Sequence, residues 1–126
     1  MNFKQKDSPI YIQIAKGLED NIFTGVYKEG DQIPSTTELS VGFKLNPATV
    51  LKGMNILVQE NIIYKKRGVG MFVSEGARDR IKEKRMSSFQ NDFISPLIQE
   101  AKNLGFDKNE IVELVAKEID DEITNK

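Results

Sequence analysis

Small and polar side chains line one face of a helix that is predicted to begin at Asn46-Pro47, an N-cap followed by a first helical residue. If Val50 marks the buried direction, the opposite face carries Ala48, Lys52, Asn55 and Gln59, flanked by Thr49 and Leu51. Amide, hydroxyl and ammonium groups can hydrogen-bond to the edges of DNA bases, and small residues let a helix enter the major groove. These residue types therefore favour base reading, and the helix N-terminus can bind phosphate.

Hydroxyl groups and cations suited to phosphate occur on either side of this helix in the sequence. Ser35, Thr36 and Thr37 place hydroxyls at the start of a preceding helix, where free backbone N–H groups also attract anions. After the helix come Lys65, Lys66 and Arg67, three adjacent cations that could contact phosphate or the minor groove. The candidate chemistry is therefore the binding of double-stranded DNA.

The composition excludes several other classes of protein. Histidine and cysteine are both absent, so the commonest general base, the commonest transition-metal ligand and disulfides are unavailable. A small hydrolase is one rival class, but the chain has no nucleophile-base arrangement, so we predict no enzyme, no cofactor and no metal. No run approaches the roughly 20 apolar residues of a membrane span, and the polar N-terminus lacks the apolar run of a signal peptide. These features predict a cytoplasmic protein without a membrane partner.

The net charge gives no support to nucleic-acid binding. The whole chain carries a formal charge of −1. Residues 1–76 hold nine basic and eight acidic side chains, and residues 77–126 hold nine and eleven. The hypothesis therefore depends on where particular charges lie.

The elements that would position these groups are three helices and a hairpin. Ser8-Pro9 is predicted to open the first helix, with Ser8 as the N-cap, and its apolar stripe is Ile10, Ile14, Leu18 and Ile22. Ser35 and Glu38 have the spacing of a capping box, so a second helix starts there, with Leu39 and Phe43 facing inward. Only a few residues separate it from the helix at Asn46, which is typical of a helix-turn-helix.

A β-hairpin is predicted to follow the third helix. Asn61 can adopt the left-handed conformation that ends a helix, and residues 62–65 and 71–73 resemble two strands. Residues 66–70 contain Gly68 and Gly70 and would form the connecting turn. A short extended piece is also expected at Gln32-Ile33. The pattern predicts a wing attached to the helix-turn-helix.

Each of these features also has a purely structural explanation. Ser35 and Asn46 could only cap their helices, Lys66-Arg67 could only be solvated hairpin charge, and Gly68 with Gly70 could only form a turn. Their order and spacing together favour DNA binding over these separate explanations.

The sequence of residues 9–73 resembles the DNA-binding domain of the GntR family. The matching elements are Pro9-Ile10-Tyr11-Ile12-Gln13-Ile14, Gly25, Gly30-Asp31-Gln32-Ile33-Pro34-Ser35, Glu38-Leu39, Asn46-Pro47-Ala48-Thr49-Val50 and Arg67-Gly68-Val69-Gly70-Met71-Phe72-Val73. The form of the third helix and the short C-terminal region are similar to the YtrA subfamily. The resemblance implies DNA contacts from Ser35, Thr36, Thr37, Asn46, Ala48, Thr49 and Lys52, and from Lys66, Arg67, Gly68 and Gly70.

Several positions depart from the family pattern. Arginine is usual or common in the family where Thr37, Pro47 and Leu51 stand, although Pro47 is normal for the YtrA group. Lys44 replaces the turn glycine and Gly53 replaces an alanine, at a cost of roughly 1 kcal/mol inside a helix. With fewer arginines on the third helix, we expect the wing and the basic residues after Gly76 to supply more of the affinity.

Residues 77–126 are predicted to form a two-helix region that pairs two subunits. Ser95-Pro96 should kink or restart its first helix, and Asp107 with Glu110 should cap the second. The residues expected to meet their counterparts in a homodimer are Phe89, Phe93, Ile94, Leu97 and Ile98. The alternative is that they only pack on the N-terminal domain. A cavity between the helices could take a small apolar effector.

The resulting prediction is an α+β chain with an N-terminal winged helix-turn-helix, residues 1–76, followed by a short two-helix dimerisation tail, residues 77–126. Its function would be that of a DNA-binding transcriptional regulator, a homodimeric repressor of an inverted-repeat operator. Resemblance to the subfamily also implies control of an ABC-transporter operon. The alternative function is a winged-helix module for protein interaction that does not bind DNA.

Overall fold

The computed structural model describes residues 8–124, which form parts of two compact units. We call the unit Met1–Lys84 the head and the unit Arg85–Lys126 the tail. The polar N-terminal residues 1–6, from which the absence of a signal peptide was predicted, lie outside the described residues. The predicted division after residue 76 stays a prediction, and the compact units divide eight residues later, between Lys84 and Arg85.

The head begins with helix α1 (Ile10–Phe23). Ile14, Leu18 and Ile22 are buried, as their spacing predicts, and the helix ends where Gly25 takes a φ of 88°. The predicted start is one residue early. Pro9 is the N-cap, and the Ser8 carbonyl accepts a hydrogen bond of 2.8 Å from the Gln13 side chain. Ser8 is therefore not the cap, because Pro9 keeps an extended ψ of 154° and delays the first turn.

Helices α2 (Thr36–Phe43) and α3 (Pro47–Gln59) form the helix-turn-helix. The turn between them passes through Lys44, whose φ of 55° is left-handed. Ser40 Oγ donates a hydrogen bond of 2.5 Å to the Leu45 carbonyl, and this bond holds the turn against α2. Leu39 is buried as predicted, but the prediction for Phe43 is wrong. Phe43 is 39% exposed because α2 ends there, and Ser40 takes the second buried position.

The wing is an antiparallel hairpin of β1 (Ile63–Lys66) and β2 (Gly70–Val73). Its register pairs Ile63 with Val73 and Lys66 with Gly70. Gln32 forms a single bridge to Phe72, and the Ile33 N–H donates to the Met71 carbonyl at 2.9 Å. The predicted extended piece at Gln32-Ile33 therefore borders β2 as a short third strand segment.

One hydrophobic core unites the helices and the wing of the head. Each large aliphatic side chain buried there contributes about 1.5–3 kcal/mol. Helix α4 (Ala77–Phe89), which starts where the sequence predicts, contributes Ala77 and Ile81 to this core. The buried set is Ile14, Ala15, Leu18, Ile22, Ile33, Leu39, Val50, Met54, Leu57, Ile62, Ile63, Met71, Val73, Ala77 and Ile81.

An ion cluster fastens α4 to two other helices of the head. The Lys84 ammonium binds the buried carboxylate of Glu19 on α1, and it lies 3.2 Å from Glu60, the C-cap residue of α3. Burial alone would lower the pKa of Lys84, but hydrogen bonds and charge from Glu19 and Glu60 outweigh it. The pKa of Lys84 is therefore raised above its ordinary value.

We expect Lys84→Met to lower the free energy of unfolding at neutral pH, because it removes the ammonium that the buried Glu19 carboxylate binds. Because the pKa of Lys84 is higher in the folded protein than its ordinary value of 10.5, stabilisation by Lys84 is complete below pH 10.5. It is lost as the pH rises through the higher pKa of the folded state. Urea unfolding at several pH values should show the gap between wild type and variant closing only in strong alkali. Lys82→Met, on the same helix, is the control. A gap unchanged across that alkaline range would contradict the assignment.

The tail contains a π-helical turn (Gln90–Ile94) followed directly by α5 (Ser95–Asn103). A new α-helical segment therefore begins at Ser95-Pro96, as predicted, although the π-helical turn before it was not. Pro96 has no N–H for the Asp92 carbonyl four residues earlier, so the ladder shifts to a wider turn there. Helix α6 (Lys108–Thr124) begins with the predicted capping box, since Glu110 N–H donates to Asp107 at 2.9 Å. The α+β class with a winged helix-turn-helix and a helical C-terminal region is thereby confirmed.

No helix in residues 8–124 combines the length and apolar character needed to cross a membrane.

Candidate nucleic-acid interface

The N-terminus of α2 is held by a complete capping box. Glu38 N–H donates to Ser35 Oγ at 3.0 Å, and Ser35 N–H donates to Glu38 Oε1 at 3.0 Å. Thr36 Oγ1 lies 3.5 Å from Met54 Sδ on α3, so its hydroxyl points between the two helices. Thr37 is exposed. Of the three predicted hydroxyl contacts, Thr37 is thus the most accessible to a ligand, and Ser35 already serves as the cap.

The N-terminus of α3 is capped by Asn46. Its Oδ1 accepts a hydrogen bond of 2.8 Å from the Ala48 N–H, with Pro47 in the first turn. The Asn46 side-chain amide still has its two N–H donors, and the side chain is exposed. Capping and DNA contact are therefore compatible for this residue, since they use different atoms.

The polar face predicted for α3 is exposed. Val50 is fully buried and defines the opposite side, as assumed from the sequence. Thr49 is half-buried at the edge, and Leu51 is 42% exposed. The exposed side chains of the polar face are Ala48, Lys52, Asn55 and Gln59. The structure thus presents on one helix surface the groups that the sequence assigned to base reading.

Lys52 has a partner that the sequence did not predict. Its Nζ lies 4.0 Å from the centroid of the Tyr11 ring, which belongs to α1. The two helices approach closely next to this contact, because a Cβ at Gly53 would lie only 2.6 Å from the Tyr11 carbonyl oxygen. Sequence periodicity gives no signal for such a pair, because the pairing depends on where α1 crosses α3.

The turn of the wing carries Arg67 and Gly68, with Lys66 and Gly70 at the ends of its strands. Lys66 and Arg67 are exposed, as DNA contact requires. Gly68 has a φ of 78°, and the Val69 N–H closes the turn on the Lys66 carbonyl at 2.9 Å. The wing therefore presents two adjacent cations at its tip.

Gly70 has a structural role that the sequence did not reveal. The Gln32 side-chain amide donates to the Val69 carbonyl at 3.1 Å, and a Cβ at Gly70 would lie 2.4 Å from that same nitrogen. With a φ of 147°, Gly70 lets Gln32 reach the turn from the loop before α2. Its predicted DNA contact stays a prediction, whereas its role in seating Gln32 follows from the geometry.

Aromatic side chains support the cations of the wing. Tyr64 stacks on Phe72 across the hairpin, with ring centroids 5.9 Å apart, and Lys66 Nζ lies 5.5 Å from the Phe72 centroid. These residues alternate onto one face of the hairpin, opposite the buried Ile63 and Val73. Sequence reasoning identified Lys66 but not the aromatic ring that its ammonium approaches.

The basic residues at the start of α4 also make contacts within the head. Arg78 donates to the Phe23 carbonyl at 3.0 Å, and Arg80 donates to the carbonyls of Asn61 and Glu75, both at 2.9 Å. Lys84 binds Glu19 and Glu60 as described above. These contacts fasten α4 to α1, to α3 and to the segments before and after the wing, and the DNA contact expected of this basic segment stays a prediction.

The residues predicted to pair two subunits lie on consecutive helical turns of the tail. Phe89 and Phe93 are 53% and 63% exposed, and their ring centroids are 5.5 Å apart. Ile94 and Leu97 are also exposed, and Ile98 is half-buried. The four exposed side chains therefore present apolar surface that the described residues of the tail leave uncovered.

Residues 8–124 contain no group of three or more carboxylate, histidine or cysteine side chains that could hold a metal ion.

Comparison with known proteins agrees with this arrangement. Residues 10–73 match the family described as bacterial regulatory proteins, gntR family. The chain is 33% identical over 115 residues to the HTH-type transcriptional repressor YtrA of Bacillus subtilis, an alignment that covers 91% of this chain and 87% of that protein.

Solved structures show the same likeness. A GntR-family transcriptional regulator from Bacteroides thetaiotaomicron is 32% identical, with a TM-score of 0.73 and coverage of 90% of this chain and 99% of that one. The DNA-binding domain of AraR, solved in complex with an operator, is 26% identical with a TM-score of 0.53 and covers 59% of this chain and 90% of that one.

These relatives are transcriptional regulators and not enzymes, as the sequence predicts for this chain. The whole-length similarity to YtrA includes the tail as well as the winged helix-turn-helix. The chain is a DNA-binding transcriptional regulator that belongs to the GntR family, in its YtrA subfamily.

Proposed function

We propose that the chain is a homodimeric repressor that binds an inverted-repeat operator, with α3 in the major groove and the wing on the adjacent backbone. The observation that carries this proposal is the exposed face of Ala48, Lys52, Asn55 and Gln59 on a capped helix. It meets the geometric requirement of a recognition helix, which contacts base edges through its N-terminal residues. The AraR complex supports the same use of a related domain.

Four groups of contacts make up the proposed interface. The α2 N-terminus contributes Ser35, Thr36 and Thr37, and the α3 N-terminus contributes Asn46, Ala48 and Thr49. Lys52 addresses base edges from the second turn of α3. The wing contributes Lys66, Arg67, Gly68 and Gly70, and a Cβ position at Gly68 meets no other atom within 4 Å, so the backbone there is open to DNA.

The homodimer is proposed from the uncovered apolar surface of the tail. Large exposed apolar patches on a protein of this size commonly mark interfaces. A second copy that covers Phe89, Phe93, Ile94, Leu97 and Ile98 would give a two-fold assembly. Two α3 helices related by a two-fold axis match an operator whose half-sites are inverted and one helical turn apart.

Repression is proposed because YtrA of Bacillus subtilis is named a transcriptional repressor. We also propose that the regulated genes form an ABC-transporter operon, as the resemblance to the YtrA subfamily implies. Such a regulator would act in the cytoplasm, where bacterial DNA lies, as predicted from the sequence.

Selection of binding sites from random duplex DNA tests the proposal directly. We expect a palindromic sequence with half-sites about one helical turn apart, and a mobility shift of the promoter upstream of the protein's own gene. A chain that enriches no sequence and shifts no DNA at moderate salt would instead be the protein-interaction module that is the alternative function.

We expect the double substitution Lys66→Ala and Arg67→Ala to weaken DNA binding by about tenfold or more at low salt, similarly for all sequences. Each lost phosphate contact should reduce the slope of log K against log salt by about 1, so the double variant should lose about 2. Fluorescence anisotropy at four salt concentrations measures both quantities.

The matched control removes two positive charges from the tail, by Lys102→Ala and Lys117→Ala. It tests whether the effect follows the net charge or the position of the cations. An unchanged slope in the wing variant, or an equal change in the control, would reject phosphate contact by the wing.

A small apolar effector is the second part of the proposed regulation. A cavity of about 340 Å³ lies between α5 and α6. Its lining is apolar and includes Leu97, Leu104 and Ile111, apart from the carboxylate of Glu100. Its volume falls in the range of small-molecule pockets. A thermal-shift screen of apolar compounds tests it, and the proposal fails if no compound that stabilises the protein also changes operator affinity.

A further inference from the structure

We infer that Tyr11, on α1, is a positioning residue for DNA recognition: its ring holds the Lys52 ammonium in place for base contact. The inference rests on the proposed function, because it concerns how α3 reads DNA. The observation that carries it is the position of Lys52 Nζ, 4.0 Å from the Tyr11 ring centroid. Tyr11 is thereby assigned to sequence recognition although it lies outside the helix-turn-helix.

Lys52 needs such a partner because it is a flexible cation at a demanding position. It is the single basic residue in the sequence of α3. A lysine side chain carries a strongly hydrated point charge on a flexible four-carbon stem. A lysine without a partner therefore loses much conformational entropy when it contacts a base edge. An ammonium already seated on an aromatic face loses less of this entropy on binding.

The backbone fixes the ring where the ammonium can reach it. Gly53 follows Lys52 directly and permits the close approach of α3 to the Tyr11 carbonyl. Tyr11 is half-buried between these helices, so the ring itself has little freedom. Lys52 remains exposed, and the side of its ammonium that faces away from the ring keeps N–H donors for a base.

The ring, and not the phenol hydroxyl, makes this contact. No hydrogen bond from the Tyr11 hydroxyl occurs in residues 8–124. Tyr11→Phe should therefore preserve recognition, whereas Tyr11→Leu should lose it. A role confined to packing would be disturbed by Tyr11→Leu in the same way whichever DNA sequence is bound.

The experiment compares full-length proteins on duplexes obtained by selection with the wild type. The variants are Tyr11→Phe, Tyr11→Leu, Lys52→Met and the double variant Tyr11→Leu with Lys52→Met. Each is titrated by fluorescence anisotropy against the selected duplex and against duplexes with single base-pair replacements through one half-site. Thermal unfolding of each variant is recorded beside the titrations.

We expect Lys52→Met to reduce discrimination at one or two adjacent base pairs. Tyr11→Leu should reduce discrimination at those same base pairs by about two- to fivefold, the value of an exposed cation–π contact. Tyr11→Phe should match the wild type. The double variant should match Lys52→Met, because the ring has no ammonium left to hold.

Three results would overturn the inference. Tyr11→Leu could leave discrimination unchanged, could weaken binding equally for all duplexes, or could tighten binding because the ring withholds the ammonium from DNA. If Lys52→Met alters discrimination and Tyr11→Leu does not, the inference fails and the proposed function stands. If the wild type selects no sequence, both fail.

A second measurement does not depend on the folding of a variant. In the wild type, the Lys52 Hε protons should be shifted upfield by the Tyr11 ring current in the NMR spectrum. The shift should persist in the complex with the selected duplex. Loss of the upfield shift on DNA binding would show that the ammonium leaves the ring, and would overturn the inference as well.

Discussion

A protein with Phe93→Asp should be monomeric at micromolar concentration and should bind its operator about 100-fold more weakly than the wild type, or weaker still. Phe93 is 63% exposed, so a carboxylate there costs the folded tail little beyond the ring contact with Phe89. In the proposed dimer the same carboxylate would enter an apolar interface unpaired, which is strongly unfavourable. Two linked heads gain about 10²–10⁴ in affinity over one head, and the variant should lose that gain.

Analytical ultracentrifugation and anisotropy on a full and a half operator measure the two effects of Phe93→Asp. Asn91→Asp is the matched control, because it adds the same charge to the same π-helical turn without removing an apolar side chain. A wild type that sediments as a monomer would reject the dimer outright. A dimeric Phe93→Asp would exclude this residue from the interface.

Gly53→Ala should destabilise the head by about 1–3 kcal/mol, the usual cost of overpacking a well-packed core. The sign is opposite to helix propensity, which favours alanine over glycine by about 1 kcal/mol. At Gly53 the added Cβ would lie 2.6 Å from the Tyr11 carbonyl oxygen and 3.1 Å from Ile14 Cβ. The first neighbour is backbone, so α1 and α3 would have to move apart.

Gly42→Ala is the control for this prediction. Gly42 lies inside α2, and a Cβ there would meet no other atom within 4 Å. Propensity alone should act at that site and stabilise the protein by up to about 1 kcal/mol. Urea unfolding of both variants measures the sign of each change in the free energy of unfolding. A stabilised Gly53→Ala protein would contradict the prediction and show that α1 and α3 can move apart at little cost.

Local signals in the sequence predicted the elements well. The capping boxes at Ser35 and Asp107, the cap at Asn46 and the left-handed Asn61 all involve groups within a few residues of each other. The wing follows from two short apolar runs around a glycine turn, although β1 lies one residue later and β2 begins one residue earlier than predicted, and the register was not predicted. Local hydrogen bonding decides these features, so a single sequence is enough to find them.

Contacts between distant segments escaped prediction. Three contacts join residues that are at least 38 positions apart in the sequence. They are the contacts of Gln32 with Gly70, of Lys52 with Tyr11 and of Lys84 with Glu19. Periodicity tells which side of a helix is buried but not which residue of another helix it meets. The structural reason for Gly53 was not predicted for the same reason, because the backbone atom that it approaches lies on α1.

The wrong prediction at the end of α2 has a related cause. Phe43 falls on the inward stripe of α2 by spacing, yet the helix ends there and the core lies behind Leu39 and Ser40. The contribution of the basic run after Gly76 to DNA affinity stays a prediction, and the structure adds that Arg78 and Arg80 hydrogen-bond to backbone carbonyls of the head. Composition could not distinguish these two uses of arginine.

Helix α4 contributes to the order in which the protein can fold during synthesis. Ala77 and Ile81 belong to the core of the head, and Lys84 belongs to its ion cluster, so the first two turns of α4 are part of that unit. Chains emerge from the ribosome N-terminus first and fold by domains. A nascent chain that has exposed only its winged helix-turn-helix still lacks these groups, so we expect the head to reach its full stability only after synthesis has passed into α4.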